Sequence, residues 1–314
     1  MHPPEPDQMI AAVAALERGD CIGLPTETVY GLAADAHNPA AVRRIFELKG
    51  RPADHPLILH LPSAQALDGY VRAVPAHARK LAENFWPGPL TLILPRGPNV
   101  PDVVTGGQPT VGVRVPAHPL AANLLHRFGR AVAAPSANRF GRISPTRAEH
   151  VRAEFGAAVP IVLDGGPCEV GIESTIVDCS GAQPRILRPG MLGAAAIEAV
   201  TGPLAQADAS APKVSGTLEK HYAPRAPLRL VPREALSANG QPFRALALNT
   251  LPGGVQGVAL PADPAAYARR LYAVLRMLDG DDGSEIRVEQ PPMAPAWTAV
   301  WDRLRRAAAG SGGG

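Results

Sequence analysis

Cysteine, aromatic rings, long apolar runs and glycine-rich nucleotide motifs are scarce or missing in this chain of 314 residues. Cys21, Cys168 and Cys179 are widely spaced and form neither a CxxC pair nor a Cys/His zinc pattern. That argues against a disulfide-stapled scaffold and a zinc module, and points to reduced, buried thiols in a cytoplasmic protein. No stretch approaches the roughly 18 apolar residues of a membrane span. The first residues, MHPPEPDQM, lack the basic start and apolar run of a secretory signal. Neither GxxxxGKS/T nor GxGxxG occurs, so phosphates, if bound, must be held by other groups. Aromatic residues make up 4% and the net charge is only +3. That is thin for an RNA-binding scaffold that stacks bases and tracks phosphates with dense Lys and Arg. It suits a site for small anions such as phosphates and carboxylates.

What the chain has is turns and short apolar segments. The 35 prolines and 31 glycines imply many tight turns between short elements, as in an α/β fold. Hydrophobic residues, at 46%, are enough for a core. Residues 7–18 predict a helix closed by Gly19, and PAAVRRIFELKG predicts one that stops at Gly50. CIGLP, PLILHL, LTLILP, TVGVRVP, AVAAPS, PIVLDG, STIVDC and PRILRP are apolar runs of strand length. They are too apolar for a wet face, so a sheet covered on both sides is expected. The expected first domain spans residues 1–205. Residues 206–227 lack a sustained period and predict a linker. Residues 228–309 alternate strands with helices and predict a smaller α/β domain, and 310–314, GSGGG, a flexible tail.

Several segments place polar groups in apolar surroundings. In TVGVRVP, alternation puts Val111, Val113 and Val115 on one face, with Gly112 and Arg114 on the other. A guanidinium on a covered face needs an anion, which is either an internal carboxylate or a substrate carboxylate gripped by the planar fork. Lys49 and Arg51 sit at a helix C-terminus, where a solvated basic end is the ordinary reading. His60 lies inside a strand, where a neutral ring bonded to backbone is common. PTETVYGL, with Glu27, follows a strand's carboxyl end, where open α/β sheets bind ligands. Ser136, Asn138 and Ser144 occupy a turn-rich loop, and Ser174, Thr175 and Arg188 flank strands. No serine has a nucleophile-elbow context. Hydroxyls and arginines suit positioning and charge neutralisation more than covalent catalysis.

PTETVYGL, KGRPADHPLILH, WPGPLTLIL, VGVRVPAHP, APSANRFGRISPT, GIESTIVD and ILRPG occur in this order over about residues 9–200. Together they resemble the YrdC-like threonylcarbamoyl-AMP synthases. SGTLEKHYAPRAP and the α/β tail resemble the long, two-domain form of that family. The resemblance implies a twisted α/β domain with a large basic cavity, plus a smaller Rossmann-like C-terminal domain. It implies that L-threonine, bicarbonate and ATP become threonylcarbamoyl-AMP and pyrophosphate. The product would pass to a tRNA threonylcarbamoyl transferase complex, with weak RNA contact at most. By position, Thr28, His60, Arg114, Ala134 and Ser174 would contact threonine. Arg51, His55, Thr110, Ser136, Asn138, Ser144 and Arg188 would contact ATP, with Lys49 and Arg51 acting on the phosphates. His221 and Tyr222 of the linker would reach the nucleotide in a closed state. Mg2+ would ride on the phosphates with few protein ligands. His55 stands where the family motif often has Asn. A carbamoyl-transfer domain of the hydrogenase-maturation type would need companion modules whose Cys pairs are absent here.

Overall fold

The computed structural model describes residues 6–206, 208, 211–237, 242–280 and 283–312. The first unit runs through α1 (Pro6–Glu17), β1 (Ile22–Leu24), β2 (Gly31–Asp35), α2 (Pro39–Lys49) and β3 (Ile58–His60). It continues with α3 (Ala76–Phe85), β4 (Leu90–Pro95), α4 (Asp102–Thr105), β5 (Thr110–Arg114) and α5 (Pro119–Phe128). It ends with β6 (Val132–Ala133), α6 (Ala148–Phe155), β7 (Thr175–Asp178), β8 (Arg185–Arg188) and α7 (Ala194–Thr201). Local chemistry sets the helix that matters most for the site. At α2, Asn38 caps the N-terminus by accepting from the Ala40 and Ala41 amides, and Pro39 pre-sets the first turn.

The eight strands form one mixed sheet in the order β1-β2-β6-β3-β5-β4-β7-β8. β3 and β5 are parallel, with His60 in register with Arg114 and Ile58 with Gly112. β6 runs antiparallel to β3, and β2 antiparallel to β6. The carboxyl ends of β1 and β6 therefore lie opposite those of β3, β5 and β8. Val111, Val113 and Val115 enter the main core, as alternation predicts, leaving Gly112 and Arg114 on the other face. A second apolar layer packs α1 and α5 against β1 and β2 through Leu16, Leu24, Leu124 and Leu125.

Two sequence expectations fail locally. β2, GLAAD, has one Leu and no β-branched residue, so no strand is predicted there; pairing between β1 and β6 makes it one. PIVLDG is not a strand; Val162 makes a single bridge to Gly23. Pro160 lacks the amide a ladder would need.

The C-terminal unit contains β9 (Leu228–Val231), β10 (Phe243–Leu248), β11 (Gly257–Leu260), α8 (Pro264–Leu278), β12 (Glu285–Glu289) and α9 (Thr298–Gly310). Its four strands are all parallel, in the order β11-β10-β12-β9. Gly310, expected in a flexible tail, is the last residue of α9, and Ser311 Oγ accepts from the Leu228 amide. Residues 313–314 of that tail, and 207, 209 and 210 of the linker, lie outside the described residues. No helix among the described residues is long and apolar enough to cross a membrane.

The two units share apolar surface. Val29, Ile143 and Ile172 of the first unit join the cluster built by Tyr267, Leu271, Tyr272, Trp297 and Leu304. At this seam Gly171 has φ +82, and a Cβ on it would lie 2.4 Å from Arg269 Cα. Gly171→Ala should therefore lose more than about 1 kcal/mol of stability. Gly107, with φ +81 and open space around it, isolates the dihedral effect. Thermal unfolding should show Gly171→Ala well below Gly107→Ala; equal midpoints would mean that the seam tolerates the methyl.

Candidate active site

A cavity lies across the sheet face over β3 and β5, with Ile58, His60 and Arg114 on its floor. The sequence suggests a site beyond strand carboxyl ends. Thr26 and Thr28 do follow the carboxyl end of β1, His60, Arg114 and Arg188 close their strands, and the mixed sheet sends loops in from both edges. The loop between β1 and β2 brings Thr26 and Thr28 from one edge, and the loop after β6 brings Ala134, Pro135 and Ser136 beside them. From the other edge come Ser174, just before β7, and Arg188, the last residue of β8. Thr26 Oγ1 shapes its loop by accepting from the Thr28 and Val29 amides and donating to Val29 O at 2.6 Å.

Arg114 is held by three contacts. Its Nε donates to Gly88 O at 3.1 Å, Nη1 to Thr28 Oγ1 at 2.8 Å and Nη2 to Glu27 Oε1 at 2.5 Å. The internal salt bridge left open by the sequence thus exists. A guanidinium has five N–H groups, so two remain for a ligand.

Arg51 and Arg188 differ. Arg51 Nη2 donates to Pro56 O and Ser215 Oγ, both at 2.9 Å. Arg188 donates to Ser174 O, Ser174 Oγ and Ser215 O. Both are buried, and neither forms an ion pair among the described residues. Burial pushes Arg51 down to about 10, with Tyr222 opposing and Arg188 adding to the fall. Burial lowers Arg188 as well. Two buried guanidiniums solvated only by neutral acceptors favour an incoming anion.

Burial and the Arg114 charge lower His60 to about 3, and burial, with nearby cations, lowers His221 to about 3. Both rings are neutral at ordinary pH. Arg51 Nε, His60 Nδ1 and His221 Nδ1 have no partner among the described residues, although each residue lines the cavity. Such orphaned atoms fit a site shaped for a ligand.

Residues 215–222 of the expected linker form a strap over this cavity. Ser215 and Gly216 line it, and a Cβ on Gly216 would lie 2.2 Å from the Tyr222 hydroxyl. Tyr222 is buried with φ 61, a left-handed conformation rare outside glycine. It packs edge-on to His221 at 4.1 Å and stacks on Tyr272 at 5.7 Å. Arg306 of α9 holds the strap by donating to Thr217 O and Leu218 O.

Of the residues the resemblance singles out, ten line the cavity: Thr28, Arg51, His60, Arg114, Ala134, Ser136, Ser174, Arg188, His221 and Tyr222. Five do not. Lys49 Nζ donates to Ser136 O at 2.6 Å and Asn138 O at 2.5 Å, and so braces the loop. Its pKa falls well below the usual value through burial and the Arg51 charge. Asn138 turns its Nδ2 to Arg139 O and Arg142 O. His55 meets the edge of Phe140 at 5.4 Å. Thr110 lies in an adjoining groove with Gln108 and Lys213. Ser144 Oγ donates to Glu173 Oε1 at 2.5 Å. Glu173, Ser215 and Thr26 line the cavity without having been singled out, and Glu173 lies inside GIESTIVD.

Comparison with known proteins places the chain in a family. The Sua5–YciO–YrdC family model, described as telomere recombination, matches residues 14–190. A model described as threonylcarbamoyl-AMP synthase, C-terminal domain, matches residues 192–309. The chain is 39% identical to the threonylcarbamoyl-AMP synthase of Pyrococcus abyssi, over 94% of this chain and 92% of that protein. It is 37% identical to that of Bacillus subtilis, over 96% and 93%. It superimposes on the crystal structure of P. abyssi Sua5 complexed with L-threonine with a TM-score of 0.92, at 36% identity, covering 99% of this chain and 96% of that one. The chain belongs to the threonylcarbamoyl-AMP synthase family, in the long form that joins a YrdC-like domain to a Sua5 C-terminal domain.

Proposed function

We propose that this chain is a cytoplasmic nucleotidyltransferase that joins L-threonine, bicarbonate and ATP into threonylcarbamoyl-AMP for tRNA modification. The observation that carries this reading is the pair of buried guanidiniums, Arg51 and Arg188, that make no ion pair among the described residues, beside a third, Arg114, with N–H groups to spare. A polyphosphate answers the first two and an amino-acid carboxylate the third.

Arg114 and the Thr28 hydroxyl orient threonine by its carboxylate, and neutral His60 offers its free Nδ1 to the amine without repelling it. The amine forms a bond to the bicarbonate carbon, losing a proton and releasing hydroxide, to give the carbamate. A carbamate oxygen then bonds to the α-phosphorus while the bond to the leaving pyrophosphate breaks. Arg51 and Arg188 hold the phosphates and stabilise the growing charge. Lys49 acts on this step by fixing the backbone that carries Ser136 and Asn138.

Among the described residues no group of three or more His, Cys, Asp or Glu could cage a metal. The cavity lining is chiefly guanidiniums and hydroxyls, with the rings of His60 and His221 and a single carboxylate, Glu173, that is already taken by Arg303, Tyr272 and Ser144, a set that fits Mg2+ carried by the phosphates. Bound that way, Mg2+ neutralises phosphate charge. The finished anhydride is unstable in water, so the strap serves as a lid, and hand-over goes to a tRNA-threonylcarbamoylating partner.

Incubation with ATP, L-threonine and bicarbonate should yield threonylcarbamoyl-AMP and pyrophosphate by mass detection; ATP conversion to ADP alone would sink the reading. Arg114→Ala should weaken threonine binding by roughly 2–5 kcal/mol while ATP binding changes little. It also strands Glu27, so stability should fall; Glu27→Gln with Arg114→Met should restore stability but not threonine binding. Recovery of both would make the pair purely structural. Changing His221 and Tyr222 together to Ala should leave threonine binding intact and lower the intact product formed per ATP consumed. An unchanged ratio would reduce the strap to a tether.

A further inference from the structure

The C-terminal unit reaches into the wall of the cavity. Glu173 lines the cavity and is buried. Its Oε2 accepts from Arg303 Nε of α9 at 2.8 Å and from the Tyr272 hydroxyl of α8 at 3.0 Å. Its Oε1 accepts from Ser144 Oγ at 2.5 Å. The next residue, Ser174, seats Arg188 through its carbonyl and hydroxyl. Arg303 is itself locked, donating to Pro189 O at 2.9 Å and Asp302 Oδ2 at 2.6 Å, with its guanidinium 5.3 Å from the Tyr222 ring. One cation from α9 thus touches the carboxylate of the cavity wall, the residue after Arg188 and the strap.

We propose that Arg303 and Tyr272 are positioning residues of the reaction, which hold Glu173 turned toward Ser144 and so fix the cavity wall at Glu173 and Ser174, where Arg188 is seated for the nucleotide. The proposal rests on the synthase reading above. A seam that merely glued two units together would place its ion pair away from the cavity. This one places the carboxylate in the cavity wall, hydrogen-bonded to a hydroxyl of the loop after β6.

The groups facing Glu173 are Arg303, Tyr272, Arg188 of β8, and His221 and Tyr222 of the strap. Burial alone would raise the Glu173 pKa. The Arg303 and Arg188 charges and the bonds from Ser144 and Arg303 outweigh it and hold the carboxyl at about 2. Glu173 is therefore ionised throughout the working pH range. Without Arg303, burial gains the upper hand and the carboxyl takes a proton as pH falls from neutrality. One of its oxygens then ceases to be a free acceptor, and the Ser144 edge loosens.

The test uses the full chain and follows kcat and KM for ATP and threonine between about pH 5 and 9. Arg303→Met should lower kcat/KM for ATP at least about tenfold at the acid end, with a new acid limb displaced upward by two or more pH units. Threonine affinity should fall less than that for ATP, since its carboxylate is held at Arg114 and not at Glu173. Tyr272→Phe, which removes one hydroxyl and keeps the ring, should displace the limb in the same direction by less. Glu173→Gln with Arg303→Met should abolish the new limb, because Gln does not titrate. A wild-type pH profile in both Arg303→Met and Tyr272→Phe overturns the proposal, as does a pH-independent loss that tracks thermal stability. If Arg303→Met does not fold, Tyr272→Phe decides alone. A wild-type chain that makes no threonylcarbamoyl-AMP overturns the synthase reading and this role with it. Product from the wild type with unshifted variants overturns only this role.

Discussion

Taking a guanidinium out of water costs several kcal/mol unless other groups replace its hydration, and four of them, Arg51, Arg114, Arg188 and Arg303, are buried in or beside one cavity. The chain meets that cost in two ways. Arg114 and Arg303 have buried carboxylate partners, Glu27 and Glu173. Arg51 and Arg188 are surrounded by carbonyls and hydroxyls that are individually weaker acceptors. The first pair is satisfied by the protein. The second makes no ion pair among the described residues, and Arg114, of the first pair, keeps N–H groups to spare beside it.

The strap shows how the second pair is kept satisfied meanwhile. Ser215 supplies both its hydroxyl and its carbonyl, one to Arg51 and one to Arg188. Beyond Ser215 the strap is tied to α9 by Arg306, which donates to Thr217 O and Leu218 O, and to the first unit by the Ala223 amide, which donates to Gly141 O. A phosphate arriving at Arg51 and Arg188 would compete with Ser215 for the same N–H groups. Ligand entry and strap position are linked by that competition, and Tyr222, held at φ 61, marks where the strap carries strain.

Much of this was legible in the chain, because local pattern and local geometry agree. Alternation in TVGVRVP placed Arg114 on the face opposite the core. It could not decide between an internal and an external anion; Glu27 supplies the internal one, on one Nη, and N–H groups of the fork stay free. The motifs brought most of the lining into view because each sits in a short loop beside a strand. What was not legible depends on long-range register. β2 exists because two neighbours pair with it, and the opposed directions of a mixed sheet bring carboxyl-end residues of several strands over one face. Glu173 and Arg303 are 130 residues apart, and a lone Glu in GIESTIVD carries no sign of the helix that reaches it. Asn138 and Lys49 look like ligand-facing residues by type, yet their hydrogen bonds go to the loop itself.

α9 also follows every other element in chain order. A ribosome extends a chain at about 5–20 residues per second, so on the order of ten seconds separate the emergence of Arg188 from that of Arg303. Through that interval the nascent first unit carries Glu173 without its cation, and Val29, Ile143 and Ile172 without their cover. Translation thus delivers the binding loops early and their clamp last. A polypeptide released before α9 would keep the strap but not the Arg303 and Arg306 bonds that anchor it and Glu173, and would leave part of the apolar seam uncovered.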